Sequence, residues 1–243
     1  MKCAIMQPTY LPWSGYFNLI QSVDKFVFLD DVQFEKQSWQ SRNRLAQNAQ
    51  EMLLSIPIKK HSLSSKINQI TVNQQQSWQK KHVKSLRQAY AKSPYIEDVL
   101  SALESIIIGL KDEEPKDRLI DYTIPIIKTL ASLLGIKVEW YYSSDIFTKG
   151  KRSDKLIEIC QFLNCNQYCS PIGSRGYIEE DGAFNSAGID LVYQCFQPAP
   201  YVQATNTVFI PHLSVIDVIA NVGLDEARDY IQKGTFERFL KSR

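Results

Sequence analysis

The sequence has little of the chemistry that announces itself by spacing. Its 243 residues hold three histidines, His61, His82 and His212, far apart in the chain, and no Cys-x-x-Cys or His-x-x-x-His pair. A metal centre built from neighbouring ligands is therefore not predicted, and the metal expectation is none. The five cysteines are odd in number and unpatterned, which points to reduced thiols rather than a disulfide framework. Cys160, Cys165 and Cys169 fall on a predicted helix, its end and the next strand, where thiols pack. No Gly-x-Ser-x-Gly elbow and no Gly-x-x-x-x-Gly-Lys-Ser/Thr loop occurs, which excludes those nucleophile and phosphate-binding devices. No run of eighteen apolar residues exists, so no membrane-spanning helix and no membrane partner are expected. Met1-Lys2-Cys3-Ala4-Ile5 enters a strand at once without a signal-peptide cleavage pattern, and the expected location is cytoplasmic. The net charge is only +2, so any nucleic-acid contact needs a local basic patch.

What is present is an ordinary globular composition, 44% apolar and 22% charged, with length enough for one α/β domain over 1–243. The opening is the most informative part. An apolar run, Cys3 to Met6, leads into Gln7-Pro8-Thr9-Tyr10-Leu11-Pro12-Trp13-Ser14-Gly15-Tyr16. A helical pattern of Tyr16, Leu19, Ile20 and Val23 follows. A second apolar run, Phe26 to Leu29, ends in Asp30-Asp31-Val32-Gln33. Two strands joined by a helix within so few residues predict a parallel βαβ unit, whose ligands bind beyond the carboxyl ends of the strands. The fold class predicted is a Rossmann-like parallel sheet flanked by helices.

Further along, 52–58 reads as a third strand, with Pro57 at an edge or end. Asn73–Tyr90, Glu97–Leu110 and Asp117–Leu134 read as helices, with 112–116 a charged linker and a kink expected at Pro125. Together 73–134 reads as a helical insertion between two halves of the sheet. Strands resume at 137–144, 167–172 and 190–196, and helices are predicted from Ser153 as N-cap, over 213–221 and over 225–233.

Several stretches carry groups suited to a polar ligand. Gln7 leaves a buried strand beside Tyr10, Trp13 and Tyr16, and two prolines stiffen that turn. Asp30 and Asp31 follow the second strand directly. A carboxylate there can bind a sugar hydroxyl, an ammonium or a metal, act as a base, or simply cap a turn. Lys36, Trp39, Arg42, Asn43 and Arg44 suit a phosphate clamp with an aromatic platform, or a solvated turn. Lys149, Lys151 and Arg152 precede a helix N-terminus, which favours an anion. Arg175 is the candidate anion ligand of the turn after Ser170. His82, one turn from Trp78, is either structural or within reach of the site. Trp13, Asp30, Arg42 and Lys149 are expected round one pocket.

On these residues the chain resembles the WbqC-like protein family. The resemblance rests on Gln7-Pro8, Tyr10-Leu11-Pro12-Trp13 and Gly15-Tyr16, then Asp30-Asp31-Val32-Gln33-Phe34, then Trp39 with Arg42-Asn43-Arg44. Trp78 with His82, Ser144, the Tyr168–Tyr177 segment, Tyr201 with Gln203, and Leu213-Ser214 with Ile216-Asp217 also match. Pro125 and Pro171-Ile172 are local departures. The resemblance implies a place in O-antigen, lipopolysaccharide or other polysaccharide biosynthesis. It implies a transferase that attaches glycine, taken from glycyl-tRNA, to the amine of a nucleotide-linked amino sugar. Such aminolysis needs positioning, a proton acceptor and donors for an oxyanion, and no cofactor.

The candidate catalytic residues are then Asp30, Asp31 and His82. Those for substrate are Gln7, Tyr10, Trp13, Tyr16, Gln33, Lys36, Trp39, Arg42, Asn43, Arg44, Ser144, Lys149, Ser170, Arg175, Tyr201 and Gln203. Two rivals stand beside this reading. One is an ATP-using, nucleotidylyltransferase-like enzyme forming an adenylate, although the opening turn lacks that fold's histidine motif. The other is a non-catalytic sugar-nucleotide binding subunit.

Overall fold

The computed structural model describes residues 1–109, 117–204, 208–233 and 235–238. Leu110 and the charged linker 112–116 lie outside them. The main sheet comprises β1 (Lys2–Met6), β2 (Lys25–Phe28), β5 (Glu139–Tyr142), β6 (Gln167–Pro171), β7 (Asp190–Cys195) and β8 (Thr235–Arg238), and its order is β5-β2-β1-β6-β7-β8. The first five strands in that order pair in parallel, and β8 closes the β7 edge in antiparallel. Counting only the parallel strands along the chain, the order is 3-2-1-4-5, the Rossmann arrangement. The fold is thus α/β, a Rossmann-like parallel sheet flanked by helices.

Alternation along the strands explains the layers. Ala4, Phe26 and Phe28 face one side, where they pack with α1 (Ser14–Gln21), α2 (Trp78–Ala89), α3 (Glu97–Ile108), α4 (Ile120–Leu133) and α7 (Val215–Gln232). Cys3, Ile5 and Val27 face the other, under α5 (Ser153–Phe162) and α6 (Arg175–Asp181). Cys3 Sγ lies 3.3 Å from Cys160 Sγ in that second core. The hydrogen bond between them and burial raise the Cys3 pKa, so it packs as a neutral thiol.

Several sequence expectations shift. Arg42-Asn43-Arg44, read as loop, instead open β3 (Arg42–Gln47), which pairs with β4 (Gln50–Ser55) in a hairpin separate from the main sheet. The hairpin turn is Asn48-Ala49, both left-handed at φ 52° and 61°, the conformation a two-residue hairpin demands. The helix expected from Asn73 begins only at Trp78, after a left-handed Ser77 at φ 41°. α4 runs through Pro125 without restarting, because a proline six residues into the helix forfeits one bond to the first turn. Ser153 is the first residue of α5 rather than its cap, and its hydroxyl donates to Asp181. α6, read as a turn, is a short helix. α7 is broken at Gly223, whose φ of 83° divides the two helices predicted there.

Candidate functional site

The strand order reverses between β1 and β6, and a cleft of about 360 Å³ opens there beyond their carboxyl ends. Its polar wall comes from Gln7, Thr9, Ser38, Gln40 and Ser174, and its aromatic wall from Trp39, Tyr168 and Tyr177. Among the described residues Glu35 is the single acidic one lining it, and no lysine or arginine does. The loop between β2 and β3 is folded against the first loop by amide pairing. Gln40 Nε2 donates to Gln7 Oε1 at 2.9 Å, and Gln40 Oε1 accepts from the Glu35 backbone N–H at 3.1 Å. Ser38 Oγ donates to the Glu35 carbonyl at 2.8 Å.

The first loop is held from beneath. The Asn43 amide donates to the carbonyls of Tyr10 and Leu11 at 3.1 and 2.7 Å, which supports Leu11 in a left-handed conformation at φ 46°. The fully buried Tyr10 hydroxyl meets His82 Nδ1 at 2.9 Å. Burial against Trp78 and Tyr10 pushes the His82 pKa down to about 4, opposed by a hydrogen bond to the Ser55 carbonyl. His82 is therefore neutral at pH 7. Tyr10, Asn43 and His82 brace the loop.

A second cleft, of about 370 Å³, shares Met6, Thr9 and Trp39 with the first. Trp13, Tyr16, Asn43, Arg44 and His212 also line it. The Trp13 ring folds back over Gly15, so close that a Cβ there would stand 2.2 Å from a ring carbon. Gly15 thus accommodates Trp13 itself, where a ligand or backbone was expected. Arg44 stacks over the Trp39 ring at 5.2 Å and pairs with Glu51 at 2.9 Å.

The two aspartates after β2 share the Ser143 hydroxyl and otherwise have different partners. Asp30, 2% exposed, accepts from the Ser143 hydroxyl at 3.1 Å, the Ser144 N–H at 3.0 Å, the Ser144 hydroxyl at 2.8 Å and the Asn68 amide at 3.4 Å. A carboxylate so occupied does not fit the role of proton acceptor. It ties the end of β2 to the turn after β5. Asp31 takes Lys155 Nζ at 2.7 Å, with both side chains about one-seventh exposed. Burial opposes ionisation of Asp31, but the hydrogen bonds from Lys155 and Ser143 and the Lys155 and Lys66 charges hold its carboxyl below the usual range.

The Asp31–Lys155 pair lies in the wall of a basic cleft of about 900 Å³, with Gln33, Lys66, Ser144, Lys149, Lys151 and Arg152. At the mouth of α5, Glu158 accepts the backbone N–H groups of Lys149 and Gly150 at 2.7 and 3.1 Å.

Trp13, Asp30, Arg42 and Lys149, expected round one pocket, line four different clefts. The sheet edge divides them because the β2–β3 loop and the Ser143–Asp145 turn stand between. Lys36 and Arg42 turn away from the switch point into a separate basic pocket. Tyr201 and Gln203 donate to the fully buried Asp217 at the start of α7, far from any of these clefts in role. Burial raises the Asp217 pKa, and hydrogen bonds from Tyr201, Gln203 and Tyr90 oppose that rise. Ser170 is fully buried, and Arg175 stacks on Tyr193 while bonding Glu179 at 2.8 Å. Sequence reasoning missed Glu35, Gln40, Tyr177 and Lys155. Of these only Glu35 carried a signal, as the lone carboxylate between Gln33 and Trp39.

Fold and cleft together define a Rossmann-type protein with a polar, aromatic-walled site at the reversal of strand order. More particularly, the chain belongs to the WbqC-like protein family, whose profile matches residues 7–229. It is 28% identical over 232 residues to an uncharacterized protein of Mycobacterium tuberculosis, covering 95% of this chain and 97% of that one. No solved structure gave a significant match to the chain. Among the described residues no helix is long and apolar enough to cross a membrane.

Proposed function

We propose that the protein is a transferase acting on a nucleotide-linked amino sugar, and that it adds a glycyl group from glycyl-tRNA to the sugar amine. The observation that supports this reading is the switch-point cleft, where neutral amides, hydroxyls and aromatic rings surround one carboxylate. Aromatic faces accept the C–H face of a sugar ring, and the amides of Gln7 and Gln40 suit its hydroxyls. Glu35 holds the ammonium group, which releases one proton to solvent and becomes the free amine. The amine nitrogen attacks the ester carbonyl carbon, the C–N bond forms, and Glu35 takes a second proton from that nitrogen. The bond from the carbon to the ribose oxygen breaks, and Glu35 passes that proton to the departing oxygen. The Lys149–Arg152 bend and Lys66, in the basic cleft, hold the diphosphate of the sugar nucleotide. The glycyl donor and the nucleotide-linked amino sugar are both drawn from the family resemblance, and the cleft supplies groups of matching chemistry.

Incubation with glycyl-tRNA and a panel of nucleotide 3-amino and 4-amino sugars, read by mass spectrometry, tests this. One sugar is expected to gain a single glycyl residue, and Glu35→Gln to slow the gain roughly 100- to 10,000-fold while sugar binding persists. No gain on any sugar overturns the reading. Pyrophosphate release that depends on ATP would replace it with adenylate chemistry, and stabilisation by sugar nucleotides without turnover with a binding subunit.

A further inference from the structure

The loop after β2 has two sides. Glu35, Ser38, Trp39 and Gln40 line the switch-point cleft, whereas Lys36, Gln37, Ser41 and Arg42 line a pocket of about 320 Å³ on the other side. Lys59, Lys60 and His61 also line that pocket, and among the described residues no acidic one does. Its floor is apolar, from Phe34, Ile56 and Ile58, with the Phe34 and His61 rings edge to face at 5.1 Å.

Arg42 is the informative residue. Every other arginine whose side chain is described reaches a carboxylate within 3.5 Å. Among the described residues the half-buried Arg42 guanidinium finds neither an ion-pair nor a hydrogen-bond partner, and Lys36, Lys59 and Lys60 find no ion-pair partner either. Four like charges gathered beside apolar walls repel one another, and a low-dielectric floor strengthens that repulsion. An anion entering the pocket would relieve it, and the five N–H donors of a guanidinium match two oxygens of one phosphorus.

We propose that this pocket is a second anion-binding site, separate from the sheet-edge clefts, that takes a phosphoryl group through Arg42 with Lys36, Lys59 and Lys60 around it. The inference stands on the unpaired guanidinium and does not depend on the transferase reading. Two sources share the chemistry: a nucleotide diphosphate and the phosphates of an RNA strand.

The three histidines of the chain make the test direct, because His61 alone lines this pocket. Titration with inorganic pyrophosphate at low ionic strength, followed by imidazole NMR, is expected to shift His61 saturably while the buried His82 stays put. Arg42→Gln is expected to weaken that binding at least tenfold, and Arg42→Lys to recover part of it. Circular dichroism and thermal unfolding verify that both variants fold. Failure of His61 to respond, or equal binding by the wild type and a folded Arg42→Gln or Arg42→Lys variant, overturns the proposal. Displacement of pyrophosphate by a nucleoside diphosphate, or by a short RNA oligonucleotide, identifies the source. Displacement by neither also overturns the proposal.

Discussion

His82 is wedged between Trp78 and the Tyr10 hydroxyl, and burial pushes its pKa down to about 4. In an unfolded chain a histidine titrates near 6.5. As pH falls from 7 the unfolded state takes up a proton that the folded state refuses, so folding stability must fall with it. The sign is that of a depressed folded pKa: the contribution is present above about pH 6.5 and is lost as pH drops toward 4. For these two values the loss is about 2 kcal/mol by pH 5 and about 3 kcal/mol by pH 4. Urea unfolding at pH 7 and pH 5 measures it, with His82→Asn as the reference. Asparagine keeps an acceptor near the Nδ1 position and does not titrate, so all other ionisations cancel in the comparison. The wild type is expected to lose about 2 kcal/mol more than the variant between the two pH values. Equal losses, or an imidazole titration near 6.5 in the folded protein, would refute the packing described for the opening loop.

Gly15→Ala places a methyl group 2.2 Å from the Trp13 ring, and the forced displacement should cost about 1–3 kcal/mol by thermal unfolding. In a Trp13→Ala background the same change should cost almost nothing, and an unchanged penalty there would show that the ring is not the cause. Lys155→Met strands the Asp31 carboxylate and should destabilise by roughly 3 kcal/mol near neutral pH. Because the folded Asp31 pKa is lowered, the pair contributes above an unfolded value of about 4 and fades as pH falls through the lower folded one. The gap between wild type and variant in chemical denaturation should therefore close in acid, and a gap independent of pH contradicts the ion pair.

The first two strands of the parallel core were legible because they are short apolar runs buried on both faces, and Phe26-Val27-Phe28 can hardly be read otherwise. The same logic failed at β3, where Asn43 takes a buried position and breaks the apolar alternation that would have marked Arg42–Gln47 as a strand. The hairpin turn added no signal either, since Asn48-Ala49 adopts left-handed angles without a glycine. Placement at the sheet edge was readable for Gln7, Asp30, Asp31 and Ser144, because a strand end fixes its next residues. Which side of a loop a residue faces was not. Lys36 and Glu35 are neighbours in sequence yet line different pockets, and Lys155 meets Asp31 across 124 positions. Tyr201 and Gln203 drew attention as polar residues in a rigid loop, but their partner, Asp217, is buried at the start of α7, where only tertiary structure reveals it.

Trp39 belongs to two chambers at once, since its indole is a wall of both the switch-point cleft and the one beside Trp13. Guests seated in the two would be separated by little more than the thickness of that side chain. Met6 and Thr9 continue the same shared wall, so a substitution at Trp39 would be felt on both sides of it at once.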